Sequence, residues 1–293
     1  MTEILIAIVT LGLIAVLLAV ILYLTSKKFV VDSDARITQI MEILPKANCG
    51  GCGYPGCASF AEVCVKAEGL KGKFCPVGGQ VVMEKMAAIL GFRVSETQPT
   101  VAVVRCQGDC KSRPRINHYD GARNCAIMAS LYEGETACSW GCLGGGDCVS
   151  ACKFGAIRMN KDTLLPEIDE DLCTSCGACT QACPRGLIEI RVRGARSRRI
   201  YVGCNNKDKG SVARKECAVA CIGCGKCVKI CPFEAISLQD NLAYIDAAKC
   251  RLCRKCVSEC PQNSILELNF PSKRKLEGEL EQIIGTENKK LIL

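Results

Sequence analysis

A run of four cysteines spaced as in Cys173-Thr-Ser-Cys176-Gly-Ala-Cys179-Thr-Gln-Ala-Cys183-Pro184 leaves a chain few ways to fold, because the sulfurs of so short a loop must converge on something. The spacing returns at Cys221, Cys224, Cys227 and Cys231 before Pro232, and at Cys250, Cys253, Cys256 and Cys260 before Pro261. This is the pattern of iron–sulfur ligation, in which three cysteines wrap one cluster and the fourth, ahead of proline, reaches a second. Gly177, Ala178, Ala182, Gly223 and Gly225 are small enough to let the loops wrap. Disulfides would need an oxidising compartment and usually a short secreted chain. Structural zinc prefers isolated pairs helped by histidine, and His118 is the only histidine in 293 residues that hold 26 cysteines. The same scarcity argues against Rieske centres and bis-histidine haem.

Residues 4–24 form an uncharged apolar stretch, long enough at helical rise to span about 30 Å of hydrocarbon. A signal peptide is the rival reading, but Met-Thr-Glu stands where a basic n-region belongs and no small-residue cleavage site precedes Lys27 and Lys28. Those two lysines, against Glu3 on the other flank, place the rest of the chain on the cytoplasmic side of a single-pass anchor. That side is reducing, which suits thiolate ligands.

The expected fold class is α+β: a transmembrane anchor at 1–28, a small helical four-cysteine module at 29–95, two strand-plus-ferredoxin-like modules at 96–195 and 196–270, and a charged tail at 271–293. In the helical module Ser33 can cap a helix carrying Ile37, Ile40, Met41 and Leu44 that Pro45 ends. A second helix runs through Val81, Met86 and Leu90 to a C-cap at Gly91. The two later modules are an internal repeat. Val101–Val104 delivers Cys106 as Ile200–Gly203 delivers Cys204, Phe154-Gly-Ala-Ile157 answers Phe233-Glu-Ala-Ile236, and Ile168-Asp169 answers Ile245-Asp246. Leu238–Ile245 reads as a hairpin, and the tail carries one amphipathic helix around Leu276–Ile284. With so little apolar core, the clusters themselves should supply much of the folding free energy, leaving the metal-free chain largely disordered beyond the anchor.

The ligands sort into five [4Fe–4S] sets. Cys49, Cys52 and Cys57, in the glycine-rich segment Cys-Gly-Gly-Cys-Gly-Tyr-Pro-Gly-Cys, are completed most simply by Cys75, with Cys64 left as a buried hydrophobe. Cys221, Cys224 and Cys227 go with Cys260, and Cys250, Cys253 and Cys256 with Cys231, by the crossing of the bacterial two-cluster pattern. Cys173, Cys176 and Cys179 pair with Cys152 by the same logic. The remaining site is irregular: Cys142, Cys148 and Cys183 are in place, but Gly145 occupies the second ligand's slot. Cys138 is positioned to substitute, the alternative being a three-iron cluster. Cys106, Cys110, Cys125, Cys204 and Cys217 could furnish a sixth cluster, and because Cys138 and Cys217 each stand three intervening residues ahead of a run, their roles could be exchanged within this group.

The anchor, then Asn48-Cys-Gly-Gly-Cys-Gly-Tyr-Pro-Gly-Cys57 with Phe74-Cys-Pro76, then tandem ferredoxin motifs, in that order, resemble the B subunits of Rnf complexes, the ion-translocating ferredoxin:NAD oxidoreductases of bacterial membranes. The resemblance covers nearly the whole chain and matches the longer type, which carries an inserted cysteine-rich repeat. It implies reduced ferredoxin as electron donor, a chain of clusters as conductor, membrane and flavin-carrying subunits as recipients, and NAD reduced elsewhere. The residues agree with that division. No GxGxxG opens a strand–turn–helix unit, no nucleophile–base set stands out, and a lone helix without internal charges offers no ion path. A polyferredoxin of another redox complex, such as a hydrogenase, would share the ferredoxin runs but not readily the glycine-rich module; a structural metal scaffold would bind without reversible reduction.

The formal charge of +8 comes largely from Arg191, Arg193, Arg196, Arg198, Arg199, Lys207, Lys209, Arg214 and Lys215, read either as a solvated linker face or as a docking patch for an acidic ferredoxin. Aromatics at 5% and the absence of a reader motif argue against nucleic acid. Lys226, Lys229, Arg251 and Arg254 would raise cluster potentials if close enough.

Overall fold

The computed structural model describes residues 2–28, 34–93, 98–131 and 134–271. The expected tail helix and Ser33 lie outside these residues. α1 (Thr2–Lys28) is long and apolar enough to cross a membrane, and its leucines and isoleucines are exposed. Within it the hydroxyls of Thr10 and Thr25 donate back to the carbonyls of Ile6 and Ile21, at 2.9 and 2.8 Å. A polar side chain in an apolar helix is thereby satisfied without water.

Three helices follow: α2 (Ala35–Ile43), α3 (Cys57–Lys66) and α4 (Gly79–Leu90). The cap of α2 is Asp34, whose side chain accepts from the Arg36 N–H at 2.9 Å. Chain direction changes at Leu44, where Pro45 forces extended backbone on the residue before it. Gly91, at a φ of 72°, closes α4 in the left-handed conformation expected of a C-cap. The three helices bury Ile40, Phe60, Cys64, Met83 and Met86 against one another.

The rest of the described chain is two copies of one plan. The first runs β1 (Thr100–Val104), α5 (Cys125–Leu131), α6 (Asp147–Ser150), β2 (Ile157–Met159), β3 (Pro166–Ile168), α7 (Ala178–Ala182) and β4 (Ile188–Val192). The second runs β5 (Arg199–Val202), α8 (Gly210–Glu216), α9 (Lys226–Ile230), β6 (Ile236–Gln239), β7 (Leu242–Ile245), α10 (Lys255–Glu259) and β8 (Ile265–Leu268). In each copy the first and last strands pair antiparallel, β1 with β4 and β5 with β8. Between them sits a hairpin whose repeated isoleucines are direct partners, Ile157 opposite Ile168 and Ile236 opposite Ile245. The apolar interior is thin and built partly of cysteine: Ala102, Ile157 and Ile188 with Cys148 and Cys179 in the first copy, and a larger group around Ile200, Val202, Ile245 and Ile265 in the second.

The arginine run between the copies divides. Arg191 and Arg199 are buried, 5% and 4% exposed, and are neither a solvated face nor a docking patch. Arg191 pairs with Glu189, donates to the Ile245 carbonyl at 2.8 Å and lies over the rings of Tyr244 and Tyr201, 5.0 and 5.7 Å from their centres. Arg199 pairs with Glu170, which also receives the Asn269 amide. These guanidiniums cross from one copy to the other, where pairing offsets the cost of their desolvation. Arg196 remains exposed.

Candidate metal centres

The glycine-rich run and both cysteine runs of the second copy curl around apolar cavities. Cys49, Cys52, Cys57 and Cys75 line one together with Leu44, Pro45 and Phe60. Cys221, Cys224, Cys227 and Cys260 line another, and Cys231, Cys250, Cys253 and Cys256 a third. The crossing of the last cysteine of each run to the other run's cavity is therefore present in the second copy. In the first copy Cys173, Cys176 and Cys152 are the thiols that act on Cys179, and burial first, then these thiols, pushes it up to about 12.

At the irregular site the fourth cysteine on the cavity comes from an unexpected place. The cavity is lined by Cys142, Cys148, Cys183 and Cys125. A side-chain carbon on Gly145 would stand 2.7 Å from the Cys125 N and 2.9 Å from its sulfur. The residue in the vacant slot is glycine because another stretch of backbone occupies the space where its side chain would be. Asp147 holds that stretch, its two carboxylate oxygens accepting from the N–H groups of Cys125 and Ala126 at 2.8 and 3.1 Å. Cys138, which the spacing along the chain assigns here, lies instead beside Asn206 of the second copy, 3.5 Å from its amide nitrogen. A glycine where a ligand belongs is itself a sign of close backbone approach, though not of which cysteine approaches.

The fourth cysteines receive backbone hydrogen bonds: Gly78 to Cys75 at 3.4 Å, Leu187 to Cys183 at 3.4 Å and Ser264 to Cys260 at 3.3 Å. Such donors stabilise negative charge on sulfur. Without metal the buried thiols are protonated, burial pushing Cys142 up to about 12 and Cys148 and Cys227 to about 11. Metal binding here must release those protons. Among the described residues no group of His, Cys, Asp or Glu closes on a single point for one metal ion. Cys64 is fully buried among Phe60 and Met83 and is a core residue whose thiol burial pushes up to about 11. Cys110 is exposed and donates to the Asp162 carbonyl at 3.0 Å.

The modules touch end to end. A side-chain carbon on Gly51 would lie 2.5 Å from the Cys176 carbonyl oxygen, so the first glycine-rich loop sits directly on the Cys176 loop. Lys153 adds a bond to the Asn48 carbonyl at 3.3 Å. Of the basic residues beside the runs, Arg254 is neutralised by Glu267 at 2.5 Å and lies over Phe270.

Comparison with known families agrees with this chemistry. Two 4Fe-4S dicluster domain models match, one at residues 137–187 and 220–264 and one at 165–232, and an Fe-S cluster model matches 44–77. The chain is 41% identical to the B subunit of the ion-translocating oxidoreductase complex of Methanosarcina acetivorans, over 84% of this chain and 91% of the relative. It is 39% identical to the B subunit of the Na(+)-translocating ferredoxin:NAD(+) oxidoreductase complex of Acetobacterium woodii, over 90% and 78% of the two chains. It is 37% identical to the B subunit of the proton-translocating ferredoxin:NAD(+) oxidoreductase complex of Clostridium ljungdahlii, over 85% and 87%.

Proposed function

Because the chain belongs to the B-subunit family of Rnf complexes, the ion-translocating ferredoxin:NAD oxidoreductases, we propose that it is the electron relay of such a complex, taking electrons from reduced ferredoxin and handing them to membrane and flavin-carrying partner subunits. α1 anchors it by a single pass and leaves the cysteine-bearing part in the cytoplasm. Five ligand sets do the work: Cys49, Cys52, Cys57 and Cys75; Cys125, Cys142, Cys148 and Cys183; Cys152, Cys173, Cys176 and Cys179; Cys221, Cys224, Cys227 and Cys260; and Cys231, Cys250, Cys253 and Cys256. Held in these sets, [4Fe–4S] clusters take up and release single electrons without bond making at carbon or nitrogen.

The chain's part is to ligate, to space and to tune. Its thiols give up protons on ligation, its backbone N–H groups favour the more negative reduced state, and its apolar cavity walls keep water from the sulfides. The observation that carries the reading is the seating of the Gly51 loop on the Cys176 loop, which supports a continuous path from the repeats to the module beside the anchor. Cys224 and Cys253 are exposed, whereas every ligand proposed for the first copy is buried or half-buried, so the second copy is the accessible end for a soluble donor. Nicotinamide reduction and ion passage belong to other subunits.

Replacing Cys52 by alanine in the assembled complex tests this. Ferredoxin should still reduce the clusters of the repeats while NAD reduction stops. Unimpaired NAD reduction in that variant would refute the relay order.

A further inference from the structure

Among the described residues three arginines are buried, and two of them have a carboxylate. Arg191 pairs with Glu189 and Arg199 with Glu170. Arg113, 5% exposed, pairs with no carboxylate among the described residues. One nitrogen of its guanidinium donates to the Cys142 carbonyl at 2.8 Å, and its Nε has no hydrogen-bond partner. A guanidinium taken out of water without a counter-charge is strongly destabilising. The polypeptide around Arg113 therefore leaves a positive charge that only something negative at the site can offset.

Local structure aims that charge. The turn that carries Arg113 closes with its N–H on the Asp109 carbonyl at 3.1 Å. Asp109, the nearest carboxylate along the chain, accepts instead from the N–H groups of Lys111 and Ser112, at 3.1 and 2.7 Å. Arg115, two residues on, is exposed and has Glu135 at 3.7 Å. Ala218 N donates to the Ser112 carbonyl at 2.8 Å, which pins the turn where the two copies join.

Two glycines then make the path. A side-chain carbon on Gly108 would stand 3.7 Å from the Arg113 Cδ and 2.9 Å from the Cys217 sulfur, and one on Gly141 would collide with the Arg113 Nη1. The aliphatic stem thus runs past Gly108, in the segment that bears Cys106, and the charged end comes down on Gly141 and Cys142. Asn206 brings two more thiols to the same junction, its backbone N–H 3.4 Å from the Cys204 sulfur and its side-chain amide 3.5 Å from the Cys138 sulfur. It is the stem, not the guanidinium, that Arg113 turns toward Gly108 and Cys217.

We propose that Arg113 tunes the irregular site: it is a fixed, buried positive charge that raises the reduction potential of the centre held by Cys125, Cys142, Cys148 and Cys183. The proposal rests on that ligand set. Reduction adds one electron to a centre that is already net negative, taken from a donor that is oxidised by one electron, and no bond is made or broken at the arginine. A cation held away from water favours the more negative state, and salt screens it little. In the relay reading, electrons entering at the second copy then meet an enclosed acceptor in the first whose reduced form is favoured. The basic residues beside the runs are not equivalent to it, Arg254 for one being neutralised by Glu267.

The test is a potentiometric titration of the full chain, reconstituted anaerobically with iron and sulfide, poised with redox mediators and read by electron paramagnetic resonance. The centre that Cys125→Ala removes or converts marks the irregular site. In Arg113→Gln that centre should be harder to reduce: at the wild-type midpoint its oxidised-to-reduced ratio should rise about tenfold, equivalent to about 59 mV for one electron, while the other centres hold their midpoints. Arg113→Lys, which keeps the charge, should restore most of the shift. An unchanged midpoint in Arg113→Gln, an equal shift in the Gln and Lys variants, or a shift confined to another centre would each overturn the proposal. Should Arg113→Gln fail to hold iron at the site, Arg113→Met is titrated in its place, and loss of that iron from both variants would show that the arginine braces the loop rather than tunes the centre. If Cys125→Ala leaves every signal in place, the ligand set falls and the proposal with it; if it removes one centre and no Arg113 variant moves a midpoint, the proposal alone falls.

Discussion

The two copies solve one ligation problem differently. In the second, the run Cys221, Cys224, Cys227 turns three cysteines to one cavity from one loop, and Cys224 is left exposed at its tip. In the first, Gly145 stands at that tip and Cys125, on a separate helix 20 residues upstream, fills the corner from outside. The exchange costs the first copy a local, self-sufficient loop and gains it a cover. α5 and the Asp147 bonds lie over the site, where the second copy presents a cysteine to solvent. Bringing a cysteine from a distance encloses the cavity while keeping four cysteines on it.

Removing the metal should have the largest effect and erase the difference. Chelation under reducing conditions is expected to abolish most of the circular dichroism of both copies and of the helical module, leaving α1, because thin cores of cysteine and a few isoleucines cannot hold the fold. Substantial secondary structure surviving in one copy alone would mean that its strands, not its clusters, carry its stability.

Next come the corner ligands. Cys125→Ala and Cys224→Ala should each cost one four-iron centre or convert it to a three-iron form, seen by electron paramagnetic resonance of the oxidised protein. If Cys125→Ala leaves the signals untouched, the two copies are not equivalent in the way described. Moving the ligand back should fail: Gly145→Cys combined with Cys125→Ala is expected not to restore the centre, because the backbone at position 125 still stands 2.7 Å from the new side chain.

Smaller effects sharpen the comparison. Gly145→Ala should destabilise the first copy by about 1–3 kcal/mol through overpacking, measured by thermal release of iron. Asp147→Ala removes only the two bonds at the start of α5, and about 1 kcal/mol of the cover's stability is expected to go, read as faster alkylation of Cys125 in chelator-treated protein. Alkylation at the wild-type rate would show that packing, not Asp147, seats the helix.

Much of this was legible along the chain because cluster ligation and turn chemistry are local. The runs announce iron, the matched strand–cysteine units announce the repeat, and Gly91 announces a helix end. Ile157 and Ile168 could be matched to Ile236 and Ile245 by sequence alone, and they prove to be cross-strand partners. The arginine run was legible only as charge. Burial of Arg191 and Arg199 depends on Tyr201, Tyr244 and Glu170, which no spacing rule brings near.

Spacing and alternation alone thus dictate that the chain wraps iron–sulfur clusters in a small module and a doubled one behind an apolar helix, since three-residue intervals and two-fold alternation act within a few bonds. It took the folded arrangement to set Cys125 rather than Cys138 against Gly145, and to bring Cys138 to Cys106, Cys204 and Cys217 where the copies join. A sulfur's position across a loop of 20 or 100 residues depends on which backbones pack against each other, and that packing is set by the whole fold rather than by the neighbours of any one cysteine.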